Sequence, residues 1–125
     1  MATAQSELHA ECIAFLESAD ARSAFEYLMA PENSPSAYER FLRRQGYLHT
    51  CRYTQGKSWP FGFIINRRSL LFYFRKAGLT SSAAMPESLV KEFSEVKRNA
   101  RGEIKVRLQT ERDAQRVSQL VFGDA

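Results

Sequence analysis

Between Arg40 and Lys76 the chain holds no aspartate and no glutamate. A carboxylate-held metal within that stretch is therefore excluded. Cysteine is scarce as well: Cys12 and Cys51 stand far apart and, in a chain without a secretory signal, read as reduced thiols in a cytoplasmic protein. The longest strongly apolar run, Leu70 to Phe74, is far too short to cross a bilayer. The first residues lack a basic region followed by an apolar stretch, so no secretory signal is expected. Catalytic motifs are missing too, with no Gly-x-Gly-x-x-Gly, no Gly-x-Ser-x-Gly and no His-Glu-x-x-His. Gly56-Lys57-Ser58 resembles the end of a phosphate-binding loop, but Cys51 stands where that loop needs its first glycine. With two histidines and no nucleophile in a recognisable setting, hydrolase or transferase chemistry has little support and no cofactor is expected.

What is present is a charge division. The acid-free segment carries nine basic residues and nine aromatic ones, whereas the 39 residues before it hold seven acids (Glu7, Glu11, Glu17, Asp20, Glu26, Glu32, Glu39) and one base, Arg22. Formal charge thus runs from −6 to +9 and is near neutral over the tail, within a net +4. At 125 residues, 44% apolar and 26% charged, the chain fits one globular domain with a full core.

Apolar spacing predicts helix over 6–30, with Ser18-Ala19-Asp20 as a break or bend. A further helix is predicted after Pro31-Glu32-Asn33-Ser34, with Ser34 as cap and Pro35 at its first position, or with Ser36 and Glu39 as an alternative capping box, and ended by Gly46, so that 1–46 is all helical. At Tyr47 the period changes to two. Three strands follow over 47–75, turning at Gln55-Gly56-Lys57-Ser58 and Asn66-Arg67-Arg68-Ser69, the last apolar on both faces and hence central. Residues 76–92 read as a loop and a short helix from Glu87. Residues 93–109 read as a hairpin, and 110–122 as a helix capped by Thr110 with Asp113 at its third position. The expected fold class is α+β: a single, mainly antiparallel sheet of about five strands, with N-terminal helices and a C-terminal helix packed on it.

Three constellations are candidates for chemistry. Arg40, Arg43 and Arg44 share one face of the predicted helix, Arg67 and Arg68 sit at one hairpin tip, Lys57 at the opposite tip, and Arg75 and Lys76 at a strand end. Guanidinium groups fork onto phosphate oxygens and exposed rings stack on unpaired bases. The plainer account is that the bases balance the acidic helices and the aromatics fill the core. His9 with Cys12, and His49 with Cys51, offer two pairs that would close a tetrahedral zinc site if helix met strand, although Cys12 also falls on an apolar stripe. Glu95-Val96-Lys97 and Glu103-Ile104-Lys105 have the Glu-x-Lys form of restriction-type nucleases, which also need an upstream acid to hold a metal. Alternating Glu and Lys is equally the pattern of a solvent-facing hairpin.

The stretch from Leu70-Leu71-Phe72-Tyr73-Phe74-Arg75 through Gly102-Glu103-Ile104-Lys105-Val106-Arg107-Leu108 to Thr110-Glu111-Arg112-Asp113 resembles a group of small bacterial domains of uncharacterised function. Such domains occur alone or appended to restriction-modification and other DNA-processing proteins. The resemblance covers residues 60–122, rests on strand and helix patterning, and implies a binding module with no catalytic residues. The leading expectation is accordingly a module that contacts nucleic acid or another polyanion through Arg40, Arg43, Arg44, Lys57, Arg67, Arg68, Arg75 and Lys76. A module docking on an acidic protein partner, with Trp59 or Phe61 in an exposed apolar patch, is the alternative. A metal-dependent nuclease using Glu95 with Glu103 stands third.

Overall fold

The computed structural model describes residues 4–33, 38–46, 48–75, 93, 96–98 and 103–122. Lys76, Glu95, the predicted loop over 76–86 and the predicted helix from Glu87 fall outside them. The described elements are α1 (Ala4–Phe15), α2 (Ala19–Met29), a short 3-10 turn (Pro31–Asn33), β1 (Glu39–Gln45), β2 (Leu48–Gln55), β3 (Ser58–Ile65), β4 (Leu70–Phe74), β5 (Val96–Arg98), β6 (Ile104–Leu108) and a final helix, α3 (Glu111–Phe122). The strands form one antiparallel sheet of six, ordered β1-β2-β3-β4-β6-β5. The class is α+β as expected, with one strand more than predicted.

That extra strand is β1. Residues 39–45 form it where the capping signals predict a helix. Alternation decides the matter: Leu42 points into the core at 3% exposure while its neighbour Phe41 is 42% exposed on the other side, a period of two that one apolar stripe cannot serve in a helix. Gly46 misleads for a physical reason. Its φ of 61° is the left-handed conformation that ends many helices, and a tight hairpin between paired Gln45 and Leu48 needs the same conformation. Gly56, at φ 62°, does likewise between Gln55 and Ser58.

The break between α1 and α2 falls where Ser18 accepts a hydrogen bond from the Ala21 N–H at 3.2 Å and caps α2. Ala21, Ala24, Phe25 and Leu28 are then buried along one stripe of α2. At α3, Thr110 Oγ1 accepts from the Asp113 N–H at 3.2 Å, and Asp113 Oδ2 accepts from the Thr110 N–H at 3.3 Å. This is the reciprocal cap that the spacing predicts. The core is one cluster in which Cys51, Tyr53, Phe61, Phe63, Ile65, Leu70, Phe72, Phe74, Ile104, Val106 and Leu108 on the sheet meet Cys12, Leu16, Phe25, Leu28, Ala114 and Val117 on the helices. All these sheet residues occupy one face, so the helices pack on that face. At the open edge of β1, the Gln5 side chain imitates a strand: its Nε2 donates to the Leu42 carbonyl at 2.9 Å, and its Oε1 accepts from the Leu42 N–H at 2.8 Å. No described helix is long and apolar enough to cross a membrane.

Candidate functional site

The basic residues of the middle segment divide between the two faces of the sheet. Arg40 and Arg44 lie on β1 in phase with buried Leu42, so both turn toward the helices. The Arg40 guanidinium donates to the Leu28 carbonyl and reaches the Ala30 carbonyl at 3.5 Å, so it ties β1 to carbonyls at the end of α2. Arg44 pairs with Glu11, and His49 Nε2 lies 3.4 Å from the second oxygen of that carboxylate. The hydrogen bond from Arg44 holds the Glu11 carboxyl below its ordinary pKa. Arg67 donates to Glu17 at 3.2 Å and lies 5.6 Å over the Phe15 ring. These three arginines hold the acidic helices against the sheet. Lys57 and Arg68 are exposed at hairpin tips at opposite ends of β3.

The remainder belongs to the second face. Register places Phe41, Arg52, Gly62, Tyr73, Lys105 and Lys97 in one row across all six strands. Arg43, Thr50, Ile64, Leu71 and Arg107 form the next row. No acid occurs in either row. Lys97 and Lys105 face each other directly, an arrangement that repels unless an anion sits between the two ammonium groups.

Trp59 joins this face through a bulge. Tyr53 pairs with Phe61 and Gln55 with Ser58, so Trp59 and Pro60 together oppose Thr54. An extra residue re-aims a side chain, and Pro60, which has no N–H to donate, suits the disrupted ladder. The indole is thereby held between two guanidinium groups, those of Arg52 and Arg75, each 4.0 Å from its ring centroid. It also meets Tyr73 edge-on, with ring centroids 5.9 Å apart. The Tyr73 ring lies over Gly62, where an added Cβ would come 2.4 Å from the phenol oxygen. Burial pushes the Tyr73 phenol above its ordinary pKa, and the charge of Arg52 opposes part of the rise. Beside this group is a cleft of about 250 Å³, lined by Leu48, Thr50, Arg52, Trp59, Ile64, Tyr73 and Lys105 among others.

One expectation is corrected here, and one candidate constellation is set aside. Phe61 is fully buried in the core, so it contributes to no exposed apolar patch; its odd position on β3 puts it in register with Phe74 on the helix side. The four zinc candidates do not converge. His9 packs on Phe25 with centroids 5.1 Å apart, His49 turns to Phe15 and Glu11, and Cys51 Sγ contacts Met29 Sδ at 4.0 Å. Burial pushes the thiols of Cys12 and Cys51 up to about 11 and about 12, away from the thiolate a metal requires. Among the described residues no group of three or more His, Cys, Asp and Glu is placed to hold a metal ion. Glu103 is half-buried at the start of β6, and its nuclease partner Glu95 lies outside the described residues.

Sequence reasoning missed Arg52, Lys97, Lys105 and Arg107 as members of one surface. The signal was available in part, because the alternation of Ile104-Lys105-Val106-Arg107-Leu108 turns both bases away from the core. What it lacked was the pairing of β6 with β4, which carries these bases alongside Tyr73 and Leu71. No family profile, curated protein or solved structure matches the chain.

Proposed function

We propose that the protein is a non-catalytic binding module that engages nucleic acid or another polyanion across the second face of its sheet. The observation that carries this reading is the register itself. It aligns Arg43, Arg52, Lys97, Lys105 and Arg107 in two adjoining acid-free rows, with the Arg52–Trp59–Arg75 stack at one end. Helices on one face and basic and aromatic groups on the other suit an extended, flexible anion, whose phosphates meet the bases while its rings stack. Arg43, Arg75, Lys57 and Arg68 remain from the original set of contacts; Arg40, Arg44 and Arg67 serve the helical layer.

Titrating a fluorescent single-stranded oligonucleotide from low to physiological salt tests the reading. Affinity should fall steeply, with a log–log slope of about −0.7 for each phosphate contact. Absence of binding at low salt, or binding indifferent to salt, would overturn it. A second reading, docking on an acidic protein, draws support from Phe41 and Leu48, exposed by 42% and 39% beside Arg43. Stoichiometric co-purification of one acidic protein, without strand binding, would favour it.

A further inference from the structure

Thr50 is 4% exposed, lies on the second face one strand in from the β1 edge, and its Oγ1 makes no hydrogen bond. Two residues along the same strand face, Arg52 Nε is buried and equally without a partner. A buried hydroxyl and a buried guanidinium N–H left unpaired are costly, and such atoms are normally satisfied by the fold. Both residues line the cleft described above, whose walls combine apolar and aromatic groups, Leu48, Ile64, Trp59 and Tyr73, with the charged side chains of Arg75, Glu103 and Lys105. At about 250 Å³ the space lies just under the range of sites for whole drug-sized ligands. It suits one fragment with a flat apolar body and a polar edge.

We infer that this cleft receives a single unpaired nucleobase of a bound strand. The inference rests on the proposed binding face and assigns its ligand. Arg52 Nε–H is a donor only, whereas Thr50 Oγ1 both donates and accepts. The Watson–Crick edge of an unpaired base offers an acceptor beside a donor, which complements this pair. A phosphate group is a poorer occupant, because the Glu103 carboxylate lines the same cleft and repels it. Phosphates instead meet the exposed rim at Arg43, Lys97 and Lys105. Gly62 belongs to the same device: its missing side chain lets Tyr73 lie across the strand beside Arg52.

The test compares a base-bearing single strand with an abasic strand of equal length, at one salt concentration, on the intact protein and on Thr50→Val. The intact protein should bind the base-bearing strand about tenfold more tightly. Thr50→Val should remove most of that gap while keeping the salt dependence, and should raise the unfolding midpoint by deleting an unpaired hydroxyl. Equal affinity of the intact protein for both strands would overturn the inference and leave the binding face standing, as would a full gap retained in Thr50→Val. Absence of salt-sensitive binding to either strand would remove both.

Discussion

Alternate residues of the same strands build the two faces of this sheet, yet the faces differ in every property except backbone. On the helix side Phe61, Phe63, Phe72 and Phe74 are fully buried, and the arginines that reach that side are matched: Arg40 by helix carbonyls, Arg44 by Glu11, Arg67 by Glu17. On the other side Arg52 keeps an unpaired buried nitrogen, Thr50 an unpaired hydroxyl, and Lys97 faces Lys105. The helix side matches its charges, and His49 Nδ1 is the one buried side-chain atom without a partner on that side among the described residues. The second side is left with unmet polar capacity, which is the condition expected of a surface completed by a ligand.

The largest effect should come from breaking the comparison at adjacent residues of β4. Phe72→Ala, on the helix side, should cost about 3–5 kcal/mol through the cavity it leaves. Leu71→Ala, half-buried on the second side, should cost about 1 kcal/mol. Urea midpoints at unchanged slope would measure both, and equal losses would mean that the second side is core as well.

The next effect sharpens the second side itself. Gly62→Ala would place a Cβ 2.4 Å from the Tyr73 phenol oxygen and 2.6 Å from the Cys51 carbonyl oxygen. Because the second neighbour is backbone, the strain is not relieved by moving a side chain alone. A loss of about 1–3 kcal/mol is expected, together with weaker strand binding as Tyr73 leaves its place. A Gly62→Ala protein of unchanged stability would show that the ring is not held there.

Much of this architecture was legible from period and punctuation. Alternation along Leu48–Gln55 is enough to set Cys51 and Tyr53 on the face opposite Arg52, and Thr110 with Asp113 marks the start of α3 through local chemistry. β1 was misread because its signals (Ser34, Pro35, Glu39 and Gly46) are helix boundaries read locally, while its strand character depends on pairing with β2. The site failed for a related reason. Arg52, Tyr73, Lys105 and Lys97 lie far apart in sequence and become one row only through strand order, which no local pattern encodes. Trp59 is the sharper case: simple alternation puts it in phase with Phe61 and Phe63, and only the bulge at Trp59-Pro60 turns it outward.

The comparison between faces is tested most directly by removing equal charge from each and titrating strand binding against salt. Arg43→Ala with Lys105→Ala takes two exposed bases from the second side; Arg44→Ala with Arg67→Ala takes two exposed bases from the helical side. Division of labour between the faces predicts that the first pair lowers affinity about tenfold and flattens the log–log salt slope by about 1.4, two phosphate contacts' worth. The second pair should leave affinity and slope close to those of the intact protein. Equal losses in the two double variants would contradict the account, because the attraction would then follow net charge and not the face that carries it.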